Sequence, residues 1–434
     1  MLVERADFAD LNELAAHRQR LWESQRDYVA SRSPLHRRAW GKKAPPARLA
    51  DLAELPLIDK EMLRRSQHEH PPFGDYLAAD DTEIARLHRT SGTTGTAMNL
   101  ALSRRDAEET ALLGARAHRA SGLKPGMRVV HCLNYRLWVG GYTDHATLEA
   151  AGAAVVPFGV GDTELLIRTI QELGISAISC TPSYPAVLER VIAEHFPKLK
   201  PRDLGLKLGL FGGEAGLDDP EFRRRLETTW GFAVRNANYG VTDVVSIMAG
   251  QSEIDSDLHF IALDILHPEI IDPASGTPLA WQEGVKGELV LTHLTRQCQP
   301  LVRFRTGDII AITGTGKARC GRTAPRFRVT GRSDDMVVVR GINVFPTQIA
   351  AVLNSFAELS GEYRIMLEGR GPYDRLPVEA EVAEGTRTAE SLAEVVERRI
   401  KAEIGVTARL TMLPFNSLPR SEGKTRRVIR RQDP

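Results

Sequence analysis

Thr90-Ser91-Gly92-Thr93-Thr94-Gly95 is the stretch on which the reading of this chain turns. Its six residues carry four hydroxyls and two glycines. Phosphate oxygens call for several short donors at once. Glycines let backbone N–H groups turn inward, and hydroxyls add side-chain donors. A P-loop would place Lys after its last glycine, but Thr96 stands there instead. An ordinary Ser/Thr/Gly surface turn explains the six residues equally well, so the flanking chain has to decide.

Before the stretch, residues 8–30 read as a polar helix with Leu11, Leu14, Leu21 and Trp22 on one side, followed by an Arg/Lys/Pro-rich loop over 32–48. Leu55 to Lys60 and a further helix lead up to it. After it, Ser103-Arg104-Arg105-Asp106 reads as a capping box opening a helix that stops near Ser121-Gly122. Helices at 142–151, 162–173 and 218–230 each end on a glycine (Gly152, Gly174, Gly231) and run into an apolar strand. Glycine takes the left-handed position that turns the chain back under the helix. The alternation predicts a mostly parallel sheet covered by helices.

Past residue 250 the texture changes. Segments 258–271, 279–292 and 308–330 are turn-rich and fit antiparallel strands, a small barrel-like region. A second change falls at 332–335. Beyond it lies a unit of about 100 residues, the usual size for a small α+β domain. It has strands at 336–340, 363–368, 377–383 and 408–413, and helices at 346–356 and 388–404. The last helix carries Leu392, Val395, Val396, Ile400 and Ile404 on one face. The expected organisation is a large domain over 1–331, a hinge at 332–335 and a small mobile domain over 336–434.

The bulk numbers exclude some functions. Of 434 residues, 42% are hydrophobic and 26% charged, the mix of a globular protein with a sizeable core. A formal net charge of +1 argues against a broad nucleic-acid or membrane footprint. The basic cluster Arg426, Arg427, Arg430 and Arg431 reads as a solvated tail. Cys132, Cys180, Cys298 and Cys320 form no C-x-x-C pair, so neither a disulfide framework nor a structural zinc site is indicated. No signal peptide or membrane span is expected, which predicts a cytoplasmic protein.

Five further stretches suit the needs of a nucleotide. Phe211-Gly212-Gly213-Glu214 follows an apolar strand, and its glycines permit close backbone approach to a flat ligand. Asn238-Tyr239-Gly240-Val241-Thr242-Asp243 offers an aromatic ring, a hydroxyl and a carboxylate. Arg305-Thr306-Gly307-Asp308 puts a carboxylate on a tight turn, where it could accept two hydroxyls. The remaining two are Gly331 to Gln348 and the lysine of Pro419-Arg420-Ser421-Glu422-Gly423-Lys424. Singly, each is also a plain turn, a core tyrosine, a linker or a surface charge.

In this order the set resembles the adenylate-forming superfamily of acyl-CoA synthetases, adenylation domains and luciferases, and within it the phenylacetate–CoA ligases. Gly331 to Gln348 (GRSDDMVVVRGINVFPTQ) and Leu418 to Ile429 (LPRSEGKTRRVI) carry most of it. The resemblance implies a two-step ligase that uses ATP, Mg²⁺ and coenzyme A and passes through an acyl-adenylate. By matched motif, Thr90, Ser91, Gly92, Thr93, Thr94 and Gly95 would hold ATP phosphates. Gly213 and Glu214 would flank the adenine, Tyr239 would stack on it, and Asn238 and Gly240 would complete that site. Thr242 would touch the α-phosphate, Asp308 the ribose with help from Arg332, and Asp243 would hold Mg²⁺. Lys424 would act at the reacting carboxylate, and Asp334 would be the hinge. Tyr135, Arg136, Trp138, Gly212, Asn238 and Val241 would line the acyl pocket.

Departures narrow what the resemblance implies. Asp243 stands where the superfamily usually has Glu, and Ala97-Met98 replace the usual Pro and Lys. Asn134-Tyr135-Arg136-Leu137-Trp138 replaces a tyrosine/glycine-rich stretch, which points away from phenylacetate and toward a benzoate-like acid with hydroxyl or amino substituents. Only Cys320 remains of a cysteine set some relatives carry, so no zinc is expected. The implied partner is a small aromatic carboxylate, with no nucleic acid and no membrane. Homodimerisation stays open. So does delivery of the acyl group to an acyl carrier protein's phosphopantetheine, an amine or another nucleophile, and so does a silent acyl-nucleotide binding module.

Overall fold

The computed structural model describes residues 6–90, 97–214, 216–333, 335–340, 342–368, 373–386, 390–418 and 427–431. The chain divides into two compact units, one of residues 1–306 and 310–328, the other of 307–309 and 329–434.

The larger unit opens with α1 (Leu11–Arg32), α2 (Pro34–Trp40) and α3 (Lys60–Glu69). Trp22, Val29, Trp40 and Leu52 share one buried cluster. Strands β1 (Ile84–Arg89) and β2 (Asn99–Ser103) form an antiparallel hairpin, so the hydroxyl-rich stretch spans the link between them. Then come α4 (Arg104–Ala120), β3 (Arg128–His131), α5 (Val139–Ala150), β4 (Ala154–Pro157), α6 (Thr163–Glu172), β5 (Ala177–Cys180), α7 (Tyr184–His195), β6 (Leu208–Gly212), α8 (Pro220–Trp230) and β7 (Ala233–Val241). Strands β4-β3-β5-β6-β7 lie side by side and parallel, as the helix–Gly–strand repeats require. Gly152, Gly174 and Gly231 all have positive φ (96°, 55°, 75°), as predicted for left-handed helix ends. Helix α7, which the sequence reading passes over, supplies the crossover a parallel β5–β6 pair needs.

The antiparallel part follows: β8 (Val245–Gln251), β9 (Leu258–His259), β10 (Leu266–Ile271), β11 (Pro278–Leu279), β12 (Lys286–His293), β13 (Phe304–Gly314) and β14 (Arg326–Arg332). These strands continue the parallel set as one sheet of 12 strands among the described residues, ordered β11-β10-β12-β13-β14-β9-β8-β7-β6-β5-β3-β4.

The smaller unit holds a hairpin of β15 (Val337–Val339) and β16 (Ile342–Val344), then α9 (Pro346–Asn354), β17 (Leu359–Glu368), β18 (Leu376–Val382), α10 (Glu390–Ile404), β19 (Ala408–Leu413) and β20 (Val428–Arg431). Its four-stranded sheet is ordered β19-β18-β17-β20. Val396 and Ile400 are fully buried, but Val395 is 43% exposed and off the predicted face. Residues 392, 396, 400 and 404 repeat every four and make one stripe, whereas 395 lies about 100° away from 396. The solvated basic tail holds at Arg430, which is exposed, and is corrected at Arg427, while Arg426 lies outside the described residues. Residues 428–431 pair parallel to β17, and Arg427 pairs with Glu362 (2.6 Å) while lying over the Tyr363 ring. Val428 and Ile429 supply the strand propensity that a count of charges overlooks.

One buried carboxylate positions the β1–β2 hairpin. At the start of α4, Ser103 Oγ accepts from Asp106 N–H (3.0 Å) and Asp106 Oδ2 from Ser103 N–H (3.1 Å), the predicted capping box. Asp106 also accepts from the N–H groups of Gln297 (2.8 Å) and Cys298 (3.0 Å). Burial opposes its ionisation, but Arg296 and these donors outweigh that and hold the carboxyl below its usual range. A depressed carboxyl contributes stability above its unfolded pKa of about 3.9 that is lost as pH falls through the folded value. Asp106→Asn should therefore lower the thermal midpoint through unsatisfied N–H groups worth about 1–3 kcal/mol each. Acid titration followed by circular dichroism should show the gap between variant and parent closing below about pH 4.

Candidate active site

Open parallel sheets bind ligands in the crevice beyond the carboxyl ends of their strands. In the larger unit, four stretches meet there. Residues 134–138 follow β3, residues 181–183 follow β5, Gly212–Glu214 close β6, and Asn238–Asp243 run from the end of β7 into its turn. A Cβ on Gly213 would lie 3.9 Å from Thr181 and 4.0 Å from the Trp138 ring, with no clash. A Cβ on Gly212 would lie 2.4 Å from the Asn238 carbonyl oxygen. The Gly212–Asn238 crossing is therefore open only to glycine, while Gly213, at φ 82°, is a left-handed turn. Glu214 accepts from Ser183 N–H (3.3 Å).

The hairpin is tied to the same loop, Arg89 N–H donating to Leu137 O (2.7 Å). Thr90 is buried, and its Oγ1 accepts from Met98 N–H (2.9 Å) while its own N–H donates to Met98 O (2.9 Å). Its hydroxyl thus closes the base of the loop. Ser91, Gly92, Thr93, Thr94 and Gly95, like Asp334 and Lys424, lie outside the described residues.

Trp138 leads directly into α5, and its ring covers Gly140. The helix begins at Val139 rather than at 142. Gly140-Gly141 reads locally as a turn, but the buried His131 ring overrides that reading. Its Nε2–H donates to the carbonyls of Gly140 (3.0 Å) and Gly141 (3.1 Å), and its Nδ1 accepts from Ser179 Oγ (3.0 Å). Carbonyls only accept, which fixes the tautomer. Burial pushes this imidazole down to about 4, so it stays neutral near pH 7. Tyr135 lies edge-on to His131 and donates its O–H to His145 Nδ1 (2.9 Å), whose Nε2 faces Glu149 (3.2 Å). Burial raises the Tyr135 phenol. Arg136 is exposed on the turn, its N–H donating to Asn134 Oδ1 (2.8 Å).

On β7, Asn238 Nδ2 donates to Asp144 Oδ2 of α5 (2.6 Å). Tyr239 is half-buried with its ring edge-on to Phe327, 5.4 Å between centroids. Gly240 passes the Ser246 carbonyl, and Val241 faces Val245 across the β7–β8 turn. Thr242 and Asp243 sit in that turn. Asp243 is 5% exposed, with Oδ2 paired to Lys60 Nζ (2.8 Å) and a buried Oδ1 without a partner among the described residues. Val139, Thr143, Thr242, Asp243, Val245 and Ser246 face a cavity of about 10 Å³, room for about one water.

The smaller unit holds the other pair. Asp308 is 6% exposed, and its Oδ1 meets Arg332 Nη1 at 2.5 Å, with Ser333 N–H donating to Gly307 O (2.7 Å). Apart from these sites, Asp255, His259 and Cys320 each bring one ligand-type atom within 4.8 Å of the others.

Two residues here escape the sequence reading. Lys60 is 183 positions from Asp243, and nothing local links them. Asp144 left one trace, a lone acid in the first turns of the weakly polar run Val139-Gly140-Gly141-Tyr142-Thr143.

Residues 24–294 match the family described as AMP-binding enzyme, and residues 341–432 match the AMP-binding enzyme C-terminal domain. The phenylacetate-coenzyme A ligase of Thermus thermophilus is 34% identical over 429 residues, 93% of each chain. That of Pseudomonas putida is 35% identical over 382 residues, 87% of this chain and 84% of the relative. A solved 2-hydroxyisobutyryl-CoA ligase, in its postadenylation state with 2-HIB-AMP, has a TM-score of 0.88 and 30% identity, covering 99% of this chain and 92% of its own. The fold is that of the adenylate-forming CoA ligases. The chain belongs to the AMP-binding enzyme family. No helix among the described residues is long and apolar enough to cross a membrane.

The two glycines of β6 should fail differently when changed. Gly212→Ala forces a methyl into backbone and should cost about 1–3 kcal/mol by overpacking. Gly213→Ala meets open space and should cost only the left-handed φ, about 1–2 kcal/mol. Thermal midpoints together with a crystal structure of each variant check this: Asn238 should shift in the first and stay in place in the second.

Proposed function

We propose that this protein joins ATP to an aromatic carboxylic acid to give an acyl-adenylate and pyrophosphate, then transfers the acyl group to coenzyme A. What carries the reading is the meeting of Trp138, Gly212–Glu214 and Asn238–Asp243 at the strand ends of a chain 34% identical to a phenylacetate-coenzyme A ligase along 93% of its length.

A carboxylate is a poor electrophile, and adenylation gives it a good leaving group. Thr90 through Gly95 hold the ATP phosphates, with Thr90 anchoring the loop. Gly213, Glu214, Asn238, Tyr239 and Gly240 form the adenine site, Thr242 meets the α-phosphate, and Asp308 binds the ribose alongside Arg332. Tyr135, Arg136, Trp138, Gly212, Asn238 and Val241 surround the acyl group. Mg²⁺ would neutralise phosphate charge, and Asp243 fits it through the unpartnered Oδ1. The domain 336–434 turns about the 332–335 hinge at Asp334 between the two steps, presenting Lys424 for the first and withdrawing it for the second. The enzyme acts in the cytoplasm. Homodimerisation and delivery to an acyl carrier protein are tested separately, by sedimentation and by acyl loading of a carrier.

Pyrophosphate release across a panel of aromatic acids, with and without coenzyme A, tests the reading. Thioester should form only when all three substrates are present; loss of pyrophosphate release with every acid overturns it. Lys424→Ala should slow acyl-adenylate formation about 10²–10³-fold, the usual cost of one preorganised donor, yet barely affect thiolysis of supplied acyl-adenylate. Equal losses in both half-reactions contradict the rotation. Asp308→Ala should weaken ATP binding, since each hydrogen bond to a charged group is worth about 1.5–3 kcal/mol; calorimetric titration of the folded variant reads this directly.

A further inference from the structure

Asp144 is an unusual wall for an acyl pocket. It is 3% exposed, in the first half of α5, the helix that Trp138 leads into. Its Oδ2 takes the Asn238 amide, while its Oδ1 is buried, with the Ser246 hydroxyl beside the carboxyl as its other donor among the described residues. Asn238 in turn is pressed onto the end of β6, where its side chain and carbonyl block any Cβ at Gly212. A buried carboxylate is costly even with donors beside it, and burial pushes this carboxyl up, to about 7, with hydrogen bonds from the Asn238 amide and the Ser246 hydroxyl opposing the rise. Nothing in packing alone calls for an acid there.

The pairing also fixes the polarity of Asn238. An ionised carboxylate only accepts, so Asn238 turns its NH₂ toward Asp144. Its carbonyl oxygen then faces away, and no hydrogen bond reaches that oxygen among the described residues. Nearby, the Tyr135 hydroxyl is already donated to His145. At this corner of the site the open acceptor is the Asn238 carbonyl oxygen.

We infer that the Asp144–Asn238 pair is a specificity determinant selecting carboxylic acids that bear a hydrogen-bond donor, a hydroxyl or amino group, on the acyl part. This rests on the acyl-pocket assignment proposed above and gives it a direction: the pocket reads donors, not polarity in general. Asp144 acts as a positioning residue through Asn238, and a substrate donor satisfies the oxygen the fold leaves open. An acid lacking the donor leaves that acceptor unpaired beneath the bound acyl group, which is how sites built for a hydroxyl reject its absence by up to ~10⁴.

The experiment compares kcat/KM for pyrophosphate release, above neutral pH, across matched acids: 4-hydroxybenzoate, benzoate and 4-methoxybenzoate, and 2-hydroxyisobutyrate against isobutyrate. The parent enzyme should prefer the hydroxylated member of a pair by at least ~10-fold, and should treat the methoxy acid, an acceptor only, like the plain one. Asp144→Asn, which frees Asn238 to rotate, should shrink that ratio by at least ~10-fold, and Asn238→Ser should do the same if the first variant fails to fold. The ratio is insensitive to a general loss of active enzyme, so a merely structural role would leave it unchanged. The inference is overturned if the parent shows no preference for the donor, if it accepts the methoxy acid as well as the hydroxy acid, or if a folded variant keeps the ratio. The two readings separate cleanly. Preference for hydroxyisobutyrate with no turnover of any aryl acid would overturn the aromatic reading and uphold this one, whereas benzoate turned over as well as 4-hydroxybenzoate would do the reverse.

Discussion

The close crossing of Gly212 and Asn238 is the constraint on which the site depends. With a methyl group at 212 facing a carbonyl oxygen at 2.4 Å, β6 and β7 could not end side by side as they do. The register between them shifts at this point, between Phe211 and Gly212, and a shift of this kind re-aims the side chains that follow. As a result Asn238 reaches across to Asp144 on α5, while Tyr239 continues along β7 and Thr242 and Asp243 lie in the turn beyond it. A rigid sheet edge therefore sets the positions of residues that the sequence offers only as a short polar run.

Buried histidines hold the opposite wall, and they do so as neutral rings. Burial moves His131 and His88 down to about 4. His131 bridges Ser179 to the first turn of α5, and His88 Nε2 meets Thr143 Oγ1 on that helix at 2.7 Å. Neither is placed to shuttle protons near neutrality. Both anchor α5, and with it Trp138 and Asp144, to the sheet and to the β1–β2 hairpin. The helix starts three residues earlier than its glycines suggest, and a single imidazole donates to two carbonyls of its first turn.

Much of the fold was legible because it rests on local chemistry. A helix ending on glycine and running into an apolar strand needs no distant contact to be recognised, and Gly152, Gly174 and Gly231 behave accordingly. The capping box at Ser103 is equally local. What stayed hidden depends on residues far apart in sequence. The Lys60–Asp243 pair and the third and fourth hydrogen bonds of Asp106, to residues 297 and 298, arise only after folding. At the site, the motifs named the stretches but not the groups behind them. Thr90 could be read as a phosphate donor, and its hydroxyl also accepts from Met98 N–H at the loop's base while keeping its own O–H to donate. Arg427 could be read as solvated charge, whereas it is stacked and paired beside a strand. In each case composition records the charge or hydroxyl and cannot record its partner.

Asp243 shows how a shorter side chain can be accommodated. A carboxylate this deeply buried needs compensation, and Lys60 provides it at one oxygen from the first residue of α3, behind the Asp59 cap. The lysine is about one-third exposed, so solvent shares the burden of its charge. The remaining oxygen is buried without a partner among the described residues, and Asp243 lines a cavity of about 10 Å³ together with Ser246 and Thr242. In the proposed reaction this geometry limits the carboxylate to a single ligand atom for a cation, because the second is committed to an ammonium. A glutamate would reach one carbon further and could leave the lysine behind. With aspartate, cation affinity and the Lys60 pair are coupled through one group: each positive charge lowers the carboxylate's attraction for the other. Magnesium would then be held chiefly by the phosphates it accompanies, with Asp243 supplying direction more than affinity, in keeping with a hard ion that gives up its waters reluctantly.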